Sequence, residues 1–222
     1  MATLPSALRG PSPAQVAPQA AAPCRVGPNA IIQVGEVLRD RFGDAVAHQV
    51  FERAGLRGMV TRPPDGMVDE GAAAALFASL FAELPAATAA AVAAEAGART
   101  ADYLLANRIP GLAQTALRLL PASLAAPLLL RAIARNAWTF AGSGGFSAGP
   151  PGVIEITNNP LAMPGCVWHV AVFERLFRAL VSPASTVRHT RCCHLGACLC
   201  RFDIAVHDGK GSRPRRAGFG PV

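Results

Sequence analysis

Residues 188–202 read RHTRCCHLGACLCRF and hold four of the chain's six cysteines and two of its five histidines. The flanks, TVRHTRC (186–192) and CLCRFDIAV (198–206), alternate apolar and polar residues and read as a closing β-hairpin. A tetrahedral metal site wants thiolates and imidazoles on such a hairpin and on one nearby element, with at least two residues between ligands on the same segment. Cys166, His189, Cys192 and Cys200 meet that condition, with spacing C-x22-H-x2-C-x7-C. Cys166 opens the helical run GCVWHVAVFERLFRALV (165–181), where the helix dipole favours a thiolate. One zinc ion would therefore tie helix to hairpin. Other sets use the same material: His169, one helical turn after Cys166, replaces His189, and Cys193 or Cys198 replaces a neighbour. Adjacent Cys192 and Cys193 point to opposite faces of a strand, so only one joins a given site. Buried cysteines acting as small hydrophobes, an iron–sulfur centre and thiol redox chemistry stay open beside the metal.

Upstream of the hairpin the pattern is helical. NAIIQVGEVLRDRFGDAVAHQVFERAGL (29–56) places Ile31, Val34, Val37 and Leu38, then Val46, Val50 and Phe51, at helical spacing, with Gly43 and Gly55 as stops. After the loop RPPDGMV (62–68), Asp69 caps a third helix carrying Leu76, Leu80 and Leu84. Pro85 opens an alanine-rich fourth running towards Leu105. Two further apolar segments follow, separated by Pro110, Pro121 and Pro127. AWTFAGSGGF (137–146) and GVIEITNN (152–159) read as two strands joined by the glycine-rich stretch. The expected fold class is α+β, with an N-terminal helical layer (25–136) on a small antiparallel sheet (137–206) in one domain. Residues 1–24 read as an Ala/Pro-rich disordered leader and 207–222 as a disordered basic tail.

Composition limits the function classes. A hydrophobic fraction of 51% suffices for a core. The net charge of +7 comes from arginines spread along the chain, Lys210 being the only lysine. No basic stripe with interleaved aromatics is present, so nucleic acid is not an expected partner. No stretch has the run of about 18 apolar residues that a membrane span needs: ALRLLPASLAAPLLLRAIAR (116–135) is broken by Arg118, Pro121, Pro127 and Arg131. The leader has no signal-peptide core, and Pro23 before Cys24 argues against a lipoprotein site. The expected location is the cytoplasm, where thiols stay reduced.

The stretches GPNAIIQVGEVLRDRFG (27–43), RTADYLLANRIP (99–110), AWTFAGSG (137–144), PGCVWHVAVFERLFR (164–178) and VRHTRCC (187–193) resemble the bacteriochlorophyll 4-vinyl reductase family of photosynthetic bacteria, over residues 25 to 206. The C-terminal part is similar to the wider 4-vinyl-reductase domain, a small-molecule-binding module that also serves as a sensor domain and shares its fold with subunits of a vesicle-tethering complex. In the sensors that domain holds zinc with three cysteines and a glutamate. Cys166, Cys192 and Cys200 match the cysteines, and His189 stands where the glutamate would be.

The resemblance implies a role at or near reduction of the tetrapyrrole 8-vinyl group (4-vinyl in the older numbering). Hydride chemistry needs a cofactor, and the nearest fingerprint, GSGGFS (142–147), has Ser147 in place of the third glycine and runs into Pro150 and Pro151 instead of a helix. No flavin motif or ferredoxin spacing is found, and no catalytic residue is assigned. The expected activity is binding a porphyrin or chlorophyllide intermediate and delivering it to a pathway enzyme such as the magnesium chelatase or the methyltransferase after it. The alternatives are the reductase itself with an external reductant, and a ligand-sensing domain. A pocket is expected between helical layer and sheet, with Arg108, Arg131 or Arg135 for a propionate and His48 or His169 for a central magnesium. Trp138 and Trp168 read as core residues. Peripheral association with the photosynthetic membrane and a homodimer are left open.

Overall fold

The computed structural model describes residues 24–149 and 152–207, so nearly all of the leader and of the basic tail lie outside the described residues. From the N-terminus, β1 (Arg25–Val26) leads into α1 (Asn29–Phe42), α2 (Asp44–Arg53) and the short α3 (Arg57–Thr61). Gly43 separates the first two helices with φ +81°, a conformation glycine adopts without strain. Then β2 (Val68–Asp69) pairs antiparallel with β1, and Asp69 caps α4 (Glu70–Glu83) by accepting the Gly71 N–H at 2.7 Å. Pro85 opens α5 (Ala86–Asn107), as its fixed φ and missing N–H allow. Next come α6 (Gly111–Leu119) and α7 (Ala122–Arg135).

The structure departs from the expected elements at two places. Pro127 lies inside α7 and does not end it; Ser123, whose carbonyl it leaves without a helical partner, is exposed to water. The segment read as a strand at 137–146 begins as a helical turn, α8 (Trp138–Ala141), and only Gly145–Gly149 is strand β3. Tertiary contact overrides the aromatic propensity of this segment, since the buried Phe140 ring meets Phe146 and Phe173 while its carbonyl accepts from His169 Nε2 at 3.1 Å. The glycines that follow turn the chain from α8 into β3; they do not join two strands.

Strand β4 (Val153–Thr157), helix α9 (Val167–Leu180), β5 (Thr186–Arg191) and β6 (Leu199–Ala205) complete the chain. The sheet is antiparallel throughout, in the order β3-β4-β6-β5. Its inner face carries Ile154, Ile156, Cys200, Phe202 and Ile204, all buried. Helix α9 lies on that face, with Phe173 edge-on to Phe202 at 5.3 Å. Helix α5 packs on the other side of α9, and α1 on α5. The alanine-rich composition of α5 permits this: Ala89, Ala93, Ala96, Gly97 and Ala101 are buried and let the α9 backbone approach closely. A single hydrophobic core runs from Val26 to Ile204 through the helices and the sheet, giving the mixed α+β class. No helix among the described residues is long and apolar enough to cross a membrane.

Candidate metal centre and ligand cavity

The C-terminal hairpin and the start of α9 bring Cys166, His189, Cys192 and Cys200 together, with one potential ligand atom from each lying within 4.8 Å of all the others. Cys166 caps α9 in the left-handed conformation at φ +43°, which a non-glycine residue adopts only where its surroundings hold it. His189 comes from β5, Cys192 stands one residue beyond that strand, and Cys200 lies on β6. The three thiols are buried, with Cys166 Sγ 3.7 Å from Cys192 Sγ and 3.5 Å from Cys200 Sγ. A tetrahedral zinc–thiolate site with bonds of about 2.3 Å has sulfur–sulfur edges of about 3.8 Å. His189 Nε2 is buried without a hydrogen-bond partner, and its ring is stacked on Phe202 at 5.1 Å. Such an orphaned nitrogen is costly unless something binds it. The donor set fits a metal ion of zinc's preferences.

Electrostatics agree with the geometry. The Cys200 thiol is held well below its ordinary range, chiefly by the hydrogen bond from Cys166, against the opposing effect of burial. Cys166 is pushed up by the same pairing and by burial, so one of the two carries the proton when both are metal-free. Cys200 Sγ also accepts from Asn159 Nδ2 at 3.4 Å and from the Cys193 N–H at 3.3 Å. Donors of this kind stabilise a thiolate and fix its direction. Asn159 was not singled out in the sequence; its only signal there is its place after β4.

The competing sets stay apart. Cys193 turns its sulfur towards the Ile156 carbonyl, and Cys198 is exposed. His169 is not part of the cluster: its Nε2 bonds to the Phe140 carbonyl, and burial lowers its pKa to about 4. GSGGFS is equally committed: the Ser143 N–H and hydroxyl both donate to Glu70, at 2.6 and 2.7 Å. Gly142, at φ +54°, has the Glu70 carboxylate where a side chain would stand.

A second feature lies among the helices. A cavity of about 380 Å³ opens between the entry to α1, the end of α5, α7, α8 and Leu176 of α9. Tyr103, Ile109, Leu129, Ile133, Trp138 and Phe140 supply its apolar wall, and Arg108 is the one cation that lines it among the described residues. Among the described residues no strand of the four-stranded sheet lines it, whereas the sequence placed a pocket between helical layer and sheet. Of the five residues proposed for a ligand, Arg108 alone lines it. Arg131 and Arg135 sit on exposed positions of α7, His48 is on α2, and His169 is fully buried in the core. Trp168 is core as expected, but Trp138 is 51% exposed on the cavity wall. Sequence reasoning missed Tyr103 and Trp138 because an aromatic on a helical turn carries no local mark of facing a void.

No family model matches the chain. It is 45% identical over 188 residues to the bacteriochlorophyll synthase 23 kDa chain of Cereibacter sphaeroides, covering 81% of this chain and 90% of that one. It is 40% identical over 211 residues to the bacteriochlorophyll synthase 23 kDa chain of Rhodobacter capsulatus, covering 91% and 97%. Both relatives are named for bacteriochlorophyll synthesis and not for vinyl reduction. At this identity and coverage, the chain belongs to the family of the bacteriochlorophyll synthase 23 kDa chain.

Proposed function

We propose that the protein acts in bacteriochlorophyll biosynthesis by binding a porphyrin or chlorophyllide intermediate and delivering it at or near the step that reduces the 8-vinyl group. The magnesium chelatase or the methyltransferase after it is the receiving enzyme. This reading takes residues 137–206 as a domain of the 4-vinyl-reductase type. The observation that carries it is the helical cavity, whose volume of about 380 Å³ falls in the range of small-molecule sites, roughly 300–1,000 Å³. Trp138 and Tyr103 offer ring faces to a flat macrocycle, and Arg108 offers a fork for a propionate. The macrocycle extends beyond the cavity towards the exposed side of Trp138, as suits a ligand that is handed on.

Zinc is the ion proposed for Cys166, His189, Cys192 and Cys200. With all four positions taken by protein, the ion supplies a structural cross-link and leaves no open position. His169 relates this corner to the cavity: it lies one turn from Cys166, and its Nε2 holds the carbonyl of Phe140, a cavity-wall residue.

Titration of the purified chain with divinyl and monovinyl tetrapyrroles tests the carrier reading. Reducing vinyl to ethyl changes neither ring nor propionate, so the two affinities should be micromolar or tighter and differ by less than ~1 kcal/mol, about fivefold. A Soret shift should accompany binding, and Trp138→Ala and Arg108→Gln should each weaken it about tenfold. Multiple-turnover formation of monovinyl product by the isolated chain with NADPH or reduced ferredoxin would overturn the reading in favour of a reductase.

A further inference from the structure

Helices α6 and α7 leave an apolar, cationic surface without an internal partner. α6 buries none of its residues, and its Leu112 and Leu119 are 88% and 80% exposed. Leu117 alone of its leucines packs against the core, so Leu112 and Leu119 need another account. On α7, Leu124, Leu128, Arg131 and Arg135 recur at intervals of four, three and four, so they share one exposed face, and Trp138 follows three residues on. From Tyr103 to Ile154 the chain contains four arginines and no aspartate or glutamate. Arg108, Arg131 and Arg135 have no ion-pair or hydrogen-bond partner among the described residues, whereas Arg118 is tied to Gln114 and to the Ala179 carbonyl. The nearby carboxylates on α5 and α9 are already paired, Asp102 with Arg175 and Glu174 with Arg178.

Charge decides what covers such a surface. A second copy across a two-fold axis would set the patch against itself, placing arginine on arginine with no carboxylate from this stretch to relieve it. An anionic bilayer satisfies both halves of the pattern: leucines and the indole enter the acyl boundary while guanidinium groups meet headgroup phosphates. We propose that the α6–α7 surface, with Trp138 at its edge, docks the protein onto an anionic lipid bilayer. The docking stands on the exposed residues alone. Its purpose, setting the cavity mouth beside the lipid so that a poorly soluble tetrapyrrole passes between them, rests on the proposed function.

The test uses the full chain with phosphatidylcholine vesicles, with and without phosphatidylglycerol, in a flotation assay at low and high salt. The expected result is binding to the mixed vesicles only, weakened by salt. Leu112→Ser/Leu119→Ser should cut the partition coefficient at least tenfold. Arg131→Gln/Arg135→Gln should cut it about 30-fold, each arginine near anionic lipid contributing about fivefold. All four residues are exposed and outside the cavity wall, so circular dichroism and tetrapyrrole titration should be unchanged. Failure of tetrapyrrole binding therefore leaves the lipid result readable. The proposal is overturned if the full chain ignores the mixed vesicles, or if Arg213→Gln/Arg215→Gln/Arg216→Gln abolishes binding while the helix variants bind normally. A dimer in sedimentation that the leucine variant dissolves, without vesicle binding, overturns it in favour of a second copy.

Discussion

Gly97→Ala is the most informative single perturbation of the scaffold. Gly97 lies on α5 where that helix meets α9, and a Cβ there would press into the Trp168 carbonyl oxygen. It would also stand 3.1 Å from the carbonyl carbon and 3.0 Å from Ala171 Cβ. Two effects compete. Alanine in a helix interior is favoured over glycine by about 1 kcal/mol. Overpacking a filled core costs about 1–3 kcal/mol, and the upper end applies because the obstacle is backbone and cannot swing aside. The net expectation is a loss of about 2 kcal/mol, or roughly 4–8 °C in Tm for a chain of this size. The control is Gly58→Ala on α3, where nothing lies within 4 Å of the added methyl and only the propensity gain remains. Urea unfolding followed by circular dichroism, at fixed zinc, measures both. Trp168 neighbours His169 and stands two residues from Cys166, so the displaced helix should also weaken metal retention. If Gly97→Ala matches or exceeds the wild type while Gly58→Ala behaves as expected, the close α5–α9 approach is not what holds the molecule.

The cluster geometry leads us to expect about one zinc per purified chain by elemental analysis, lost in Cys192→Ser and Cys200→Ser and kept in Cys198→Ser, whose residue is exposed and outside the group. A brown protein with visible charge-transfer bands would contradict that. His169 predicts an acid limb in stability. Its pKa falls from 6.5 to about 4 because burial disfavours the imidazolium. The neutral folded form is favoured, so its contribution is complete above pH 6.5 and is lost as pH falls towards 4, amounting to about 3 kcal/mol in all. His169→Gln keeps a donor for the Phe140 carbonyl but does not titrate. Denaturant midpoints between pH 6.5 and 4 should fall less steeply for the variant, and an unchanged slope would show that other groups carry the acid limb.

Local chemistry determined much of this protein from its sequence alone. Helix starts at Asp69 and Pro85 and the break at Gly43 follow from capping and from fixed or positive φ, which need no distant partner. The set Cys166, His189, Cys192 and Cys200 was legible because a tetrahedral site demands chelating pairs on a hairpin, and that demand is written in spacing. Tertiary structure decided what local chemistry leaves degenerate. Whether Cys192 or Cys193 faces inward depends on where the strand ends, and His189, not His169, joins the thiols because the His169 ring is already bonded to the Phe140 carbonyl. The AWTF segment became helical because Phe140 is held by His169 and Phe173, which lie far along the chain from it, and Pro127 stayed within α7 because Ser123, one helical turn before it, is exposed to water. The cavity is the extreme case. A void is defined by residues that fail to meet, here from five helices, and no periodicity records a contact that is not made.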